Sequence, residues 1–200
     1  MKIYLETERL VLRQFAESDV DNLFELDSDP DVMRFINGGT PTSREVIRER
    51  ILPRFLGFYR RYDAFGYWAA IVKDSSAFIG WFALHPEDGR DAHDIALGYR
   101  LMKTSWRKGY GTEGAKALVD KAFRELTARR VFACTYSENH ASRRVMEKSG
   151  MRLARTYRMT PEELASAATY VPTDVVWPSD DVEYALERTA WESLRLSEAS

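Results

Sequence analysis

Between residues 94 and 136 the spacing of the apolar residues switches twice, and a loop carrying three glycines lies at the first switch. In Asp94-Ile95-Ala96-Leu97-Gly98-Tyr99-Arg100-Leu101-Met102, the residues Ile95, Leu97, Tyr99 and Leu101 alternate onto one face, which predicts a strand. Ala115, Leu118, Val119, Ala122, Phe123 and Leu126 then follow the i, i+3, i+4, i+7 rule of a helix with one buried face. Val131-Phe132-Ala133-Cys134-Thr135-Tyr136 is a mostly apolar strand of the buried kind. A strand, a long helix and a second strand in this order predict a β–α–β crossover over about residues 95–136, a unit found only in layered sheets.

The flanking segments extend that sheet. Leu10-Val11-Leu12 reads as a short first strand, followed by a helix with Ser18 as N-cap and Val20, Leu23 and Phe24 at helical spacing. Thr42 and Glu45 form a T-x-x-E capping box ahead of Ile47, Ile51, Phe55, Phe58, Tyr59 and Tyr62, with Pro53 restarting or kinking that helix. Tyr67–Val72 and Phe78–Leu84, joined by Lys73-Asp74-Ser75-Ser76, predict an antiparallel hairpin. A helix over Ala141–Lys148 should stop at Gly150, another should start at Thr160-Pro161-Glu162-Glu163, and the chain should close with a strand near Val182–Leu186. With no Pro/Gly/Ser-rich linker or internal repeat, residues 1–200 are expected to be one α/β (α+β) domain: a mixed sheet covered by helices.

Composition narrows the function classes. Lys plus Arg is 29 and Asp plus Glu is 31, a balance that lacks the electrostatic footprint of a dedicated nucleic-acid binder. The single Cys134 rules out an intrachain disulfide and any Cys-rich zinc module. His85, His93 and His140 show no metal-ligand spacing, and His85 and His93 are read as flanking an exposed acidic turn. No apolar run approaches the roughly 20 residues of a bilayer span, and the N-terminus lacks a signal-peptide layout. The expectation is a soluble, cytoplasmic protein that binds neither nucleic acid, membrane nor metal.

The chemistry is expected at Trp106-Arg107-Lys108-Gly109-Tyr110-Gly111-Thr112-Glu113-Gly114. A helix start offers unpaired amides and the positive end of its dipole, and therefore binds anions. Gly109 and Gly111 permit unusual backbone angles and close approach, while Arg107 and Lys108 add two cations. This reads as a pyrophosphate cradle; a strand-to-helix turn that uses glycine only for its geometry stays open at this point. The letters also match the dinucleotide fingerprint G-x-G-x-x-G, with Glu138 as a ribose-binding acid. Against that stand the intervening Lys103–Lys108, the β-rich half that precedes the unit, and the overlong spacing to Glu138.

The ordered set of Thr7–Arg13, Gly66-Tyr67-Trp68, Ile79-Gly80-Trp81, Leu97-Gly98-Tyr99, Trp106–Glu113, Asn139-His140-Ala141-Ser142, Glu147–Met151 and Val182–Leu186 with Trp191 resembles the GNAT superfamily of acetyl-CoA-dependent N-acetyltransferases. Within it, the chain is most similar to the ribosomal-protein-alanine acetyltransferase-like branch. The resemblance implies a mostly antiparallel central sheet with helices on both faces and strands splayed at the coenzyme site. It implies that Arg107, Lys108, Gly109, Tyr110, Gly111 and Thr112 hold the coenzyme pyrophosphate, and that Leu101 and Met102 bind the pantetheine arm through their backbones beside a bulge. Met102 N–H would also serve as an oxyanion donor, Asn139 would touch pantetheine, and Ser142 would stand beside it. Acetyl-CoA would be the cosubstrate and an amine, of a small molecule or a protein N-terminus, the acceptor; homodimers are common among relatives.

The chain departs from its relatives at two positions, with Met146 where many have a tyrosine acid and Ala96 where many have a glutamate. Asp94, on the same strand face as Ala96, is a candidate base acting through a water, and Ser142 a candidate proton donor to the sulfur. A solvated strand-end charge and an ordinary helix hydroxyl are the plainer readings of the pair. The same two gaps also motivate a non-catalytic acyl-CoA sensor as an alternative. Asp19, Asp21, Glu25, Asp27, Asp29 and Asp31 could attract a cationic amine or simply cap and solvate their helices. Cys134 reads as a small core residue.

Overall fold

The computed structural model describes residues 2–87, 89–158 and 179–198. In chain order the elements are β1 (Ile3–Glu6), β2 (Leu10–Gln14), α1 (Val20–Ser28), α2 (Pro30–Asn37), α3 (Arg44–Val46), α4 (Leu52–Arg61), β3 (Gly66–Val72), β4 (Phe78–Pro86), β5 (Asp94–Leu101), α5 (Tyr110–Glu125), β6 (Arg130–Tyr136), α6 (His140–Lys148), β7 (Arg152–Tyr157), β8 (Asp181–Glu187) and α7 (Arg188–Glu198). The strands form one sheet in the order β1-β2-β3-β4-β5-β6-β8-β7. Only β5 and β6 run parallel, joined by α5 as the crossover; every other neighbour is antiparallel.

Side-chain alternation along β3 and β4 builds two cores on opposite faces. Trp68, Ala70, Phe82 and Leu84 pack under α5 with Leu118, Val119, Ala122 and Phe123. Tyr67, Ala69, Trp81 and Ala83 pack under the other layer, against Leu23, Leu26, Met33, Ile51 and Phe55 of the α1–α4 segment. Gly114 is required where α5 crosses β4, since a Cβ there would lie 2.3 Å from the Phe82 ring. The third glycine of the loop is therefore a packing residue.

Two caps differ from the sequence expectation. Ser43, not Thr42, caps α3 by accepting from Val46 N–H, and Thr42 Oγ1 is buried without a partner among the described residues. Ser18 lies inside a short 3-10 turn, and the carboxylate of Asp19 takes the amide hydrogen of Ala16. Ahead of Pro53, residues Ile47–Ile51 form one wide π-turn closed by Leu52 N–H to Ile47 O. Such a turn accommodates a residue that lacks an amide hydrogen and crowds the preceding turn. Strands β1 and β7 and helices α2 and α7 have no counterpart in the sequence reading, and Leu10–Leu12, expected as the first strand, belongs to the second. The expected helix at Thr160–Glu163 lies outside the described residues.

Candidate active site

The glycine-bearing loop joins β5 to α5 as expected. Arg107 (φ +60°) and Gly109 (φ +84°) both adopt left-handed backbone, and Gly109 caps α5 without any side-chain acceptor. The conformation turns the chain so that Glu113 N–H is the first amide of the helix to find a carbonyl, that of Gly109 at 3.0 Å. Among the described residues, none of the amides from Arg107 to Thr112 has a hydrogen-bond partner. Gly111 is helical; a Cβ there would meet Val145 at 3.3 Å and Leu101 at 3.5 Å, so its smallness serves close packing between α5, α6 and β5. Orphan amides around a left-handed turn, with Arg107 and Lys108 alongside, fit a diphosphate.

Next to the loop the sheet parts. β5 and β6 pair only through Asp94↔Arg130, Ile95↔Val131 and Ala96↔Phe132. Beyond that point β5 stays in register with β4 to Leu101, while β6 stays with β8 to Tyr136. Each strand follows its outer neighbour, and a V-shaped gap opens between them toward the loop. No bulge is needed, because β5 and β4 pair without a register shift. Trp106 is tied to the end of β5, its indole Nε1–H donating to Leu101 O at 2.8 Å.

The model of the acetyltransferase (GNAT) domain matches residues 9–152. The chain belongs to the GNAT acetyltransferase family. The chain is 29% identical over 150 residues to an uncharacterised N-acetyltransferase, YnaD, of Bacillus subtilis, covering 75% of this chain and 83% of that protein. A GNAT-family acetyltransferase from Bacillus anthracis superposes with a TM-score of 0.73 at 26% identity, covering 94% and 99% of the two chains. RimL, a ribosomal L7/L12 alpha-N-protein acetyltransferase solved with coenzyme A, shares the fold with a TM-score of 0.72 at 20% identity, over 93% and 98%. The chain is thus an acetyl-CoA-dependent acetyltransferase with the GNAT sheet.

In this GNAT chain some expected residues are placed differently. Met102 N–H donates to Ile79 O at 2.9 Å and so faces β4, away from the gap. Successive backbone amides of a strand point to opposite edges, and His93 O accepts from Arg129 N–H on the β6 side. The same parity sends the amides of Leu97, Tyr99 and Leu101 into the gap, so the oxyanion donor expected at Met102 does not sit there. Asp94 lies at the closed end, two residues before the last pair, with Arg130 Nη1 at 3.9 Å.

Asn139 caps α6, its Oδ1 accepting from Ser142 N–H at 3.2 Å while Nδ2 donates to Thr135 Oγ1 at 3.0 Å. Ser142 Oγ lies 3.0 Å from Tyr99 OH. Burial pushes the Tyr99 phenol far above its ordinary value, so it stays protonated. Next to it, Arg143 donates through Nε to Tyr184 OH at 3.1 Å and through Nη1 to Ser137 O at 2.8 Å.

The acidic run on α1 and α2 is largely consumed by cations and caps. Arg13 grips Asp19 with both terminal nitrogens, Arg100 pairs with buried Asp27 at 2.6 Å, Lys103 with Asp31 at 2.5 Å and Arg44 with Asp21, while Asp29 caps α2. Cys134 is solvent-accessible rather than core. Its sulfur nevertheless sits 3.9 Å from Glu183 Oε2 in packed surroundings, and burial pushes the thiol up to about 11, so it is not a thiolate at neutral pH. His85 belongs to β4, half-buried beside Tyr67, rather than to an exposed turn.

The feature that sequence reading missed reaches the loop from the N-terminus. Glu113 Oε1 accepts from Thr7 Oγ1 at 2.5 Å and Arg9 N–H at 2.8 Å, and Glu113 Oε2 accepts from Arg9 Nε at 2.6 Å. Arg9 Nη1 also donates to Lys108 O at 2.9 Å, and the guanidinium lies 4.7 Å above the Tyr110 ring. Burial works against the charged Glu113, but the hydrogen bonds from Thr7 and Arg9 outweigh it and hold the carboxyl below its usual range. Thr7-Glu8-Arg9 stood within the family resemblance; nothing local tied it to Glu113. Among the described residues no group of three His, Cys, Asp or Glu could hold a metal, and no helix is long and apolar enough to cross a membrane.

Proposed function

We propose that the chain transfers the acetyl group of acetyl-CoA to a primary amine, on a small molecule or a protein N-terminus, by direct attack of the amine on the thioester. One observation carries the reading: unpartnered amides at Tyr110, Gly111 and Thr112 stand beside a gap that opens after Ala96 and Phe132. The backbone of Arg107–Thr112 would hold the pyrophosphate, with Arg107 and Lys108 supplying charge. The pantetheine arm would lie along β5, against the gap-facing amides of Tyr99 and Leu101 and near Asn139. Acetyl-CoA would supply an activated acyl carbon: the amine adds to it, forming the C–N bond of a tetrahedral intermediate, and the C–S bond then breaks to release the thiolate.

The protein's own part is to align the reactants, take a proton from the amine and return one to the sulfur. Ser142 is the candidate hydrogen-bond donor to the departing sulfur; Tyr99 OH, which donates to Ser142 O and lies 3.0 Å from Ser142 Oγ, holds that residue in place. Asp94, acting through water, is the candidate base; its place on the Ala96 face supports this and its ion pair with Arg130 opposes it. A gap-facing amide, of Tyr99 or Leu101, would stabilise the oxyanion.

Thiol release from acetyl-CoA, followed with a panel of amines and N-terminal peptides and mass spectrometry of the products, tests the reading. An acetylated amine is the expected product. Tight coenzyme binding with no turnover across the panel would favour an acyl-CoA sensor, and thermal protection by NAD(P) but not coenzyme A would overturn the site assignment. Gly111→Trp, which forces a large ring between Val145 and Leu101, is expected to abolish protection by acetyl-CoA.

A further inference from the structure

Glu113 stands in the first turn of α5, where a side chain leans toward the helix N-terminus and covers the turn before its own Cα. With Gly109 as N-cap, Glu113 is the fourth helical residue, one past the capping-box position, and the helix dipole still draws its negative charge toward the orphan amides of that turn. In this chain those amides are the ones with no partner, and the Glu113 carboxylate is turned aside. Three donors from the β1–β2 turn take it: the Thr7 hydroxyl, the Arg9 amide and the Arg9 guanidinium. Arg9 then reaches Lys108 O, so a single residue grips both the first helical turn and the loop before it. A Cβ on Gly109 would stand 3.2 Å from Arg9 Nη2, which leaves that side of the left-handed turn closed by the arginine.

We propose that Thr7 and Arg9 are positioning residues for coenzyme binding, holding the Glu113 carboxylate off the leading amides of α5, where it would compete with the pyrophosphate as an internal anion. The inference rests on the reading that those amides take the coenzyme. It assigns a task to a half-buried contact 104 residues apart in sequence that neither the transfer chemistry nor the sheet requires.

Isothermal titration with coenzyme A tests it on four proteins: wild type, Arg9→Ala, Glu113→Ala and the double variant. Arg9→Ala is expected to weaken binding about tenfold or more, the scale of one charge-assisted hydrogen bond lost to a competitor. Glu113→Ala alone should bind within about threefold of wild type, and in the Arg9→Ala background it should restore most of the lost affinity, a strongly non-additive cycle. A double variant as weak as Arg9→Ala would overturn the proposal in favour of direct contact between Arg9 and a phosphate. Wild-type affinity in Arg9→Ala would overturn it outright. Thr7→Val, which removes a hydroxyl without changing charge, repeats the cycle should Arg9→Ala fail to fold. No coenzyme binding by the wild type would instead sink the site reading itself, an outcome visible before any variant is made.

Discussion

The start of α5 and the pair α1–α2 lie on opposite sides of the sheet and treat polar groups in opposite ways. On the α1–α2 side nearly every carboxylate is answered by a cation or an amide, and the pair Asp27–Arg100 is almost wholly buried. At the start of α5 the backbone amides have no partner among the described residues, and the Glu113 carboxylate is drawn away. The first arrangement welds helices to β2 and β5. The second gives up a few hydrogen bonds of local stability and keeps a surface ready for an anion. Substitutions on the two sides should therefore separate, one series lowering stability and the other lowering coenzyme affinity.

The largest effect is expected from Asp27→Ala. The variant breaks a buried pair, Asp27 with Arg100 Nη1 at 2.6 Å, and such losses run to about 3–5 kcal/mol. Urea unfolding should report that drop, while the protein that remains folded still binds coenzyme A. Lost coenzyme binding at full occupancy of the fold would mean that the two sides are not separable.

Gly109→Val comes next and should show the reverse pattern. Left-handed backbone costs an L-residue about 1–2 kcal/mol, more for a β-branched one, so the fold is weakened modestly. The turn that presents the amides is lost with it, and each forfeited hydrogen bond to a charged phosphate is worth about 1.5–3 kcal/mol. Coenzyme affinity should thus fall by about tenfold to a hundredfold per bond, read by calorimetry. Affinity near wild type would show that the loop amides are not the anchor.

These contrasts also explain what could be read along the chain. The loop was legible because its signal is local: a period change, three glycines and two cations within ten residues or so of each other. Helix α5 and its crossover followed from spacing alone. The Glu113 clamp and the Asp27–Arg100 pair were not legible, since their partners lie 104 and 73 residues apart and only the completed sheet brings them together. The Met102 assignment failed for a finer reason. Parity along β5 decides which amides face the gap, and one residue of register reverses every answer. Strand β7 escaped because all but the last of its residues are exposed or nearly so, which erases the alternation that marks a half-buried strand.

The acid side of the pH profile sharpens the same comparison. Asp19, despite its burial, is held below the ordinary carboxylate range by the hydrogen bonds from Arg13 and the amide of Ala16. Glu183, also burdened by burial, is held down by Arg90 and Arg155. A depressed native value means that the unfolded chain binds the proton more readily, so their stabilisation is complete above about pH 5 and is lost as pH falls through the native values. Urea unfolding should be flat between pH 7 and pH 5 for these groups and weaken below, and Asp19→Asn should blunt the decline. An unchanged acid slope in that variant would remove Asp19 from the account.

The smallest expected effect is at Asn139, which lies between the two regimes. Its Oδ1 caps α6 through Ser142 N–H, and Nδ2 donates one hydrogen to Thr135, leaving a second that the proposed function gives to pantetheine. Aspartate caps a helix as well as asparagine does, so Asn139→Asp should hold stability within about 0.5 kcal/mol. It removes both amide hydrogens, however, and a lost neutral hydrogen bond of about 0.5–1.5 kcal/mol predicts coenzyme affinity reduced by about twofold to tenfold. Asn139→Ala should lose both properties, with about 1 kcal/mol of stability gone along with the cap. Should Asn139→Asp bind coenzyme A as tightly as wild type, the residue serves α6 alone, and the coenzyme side would be built from backbone amides to an even greater degree.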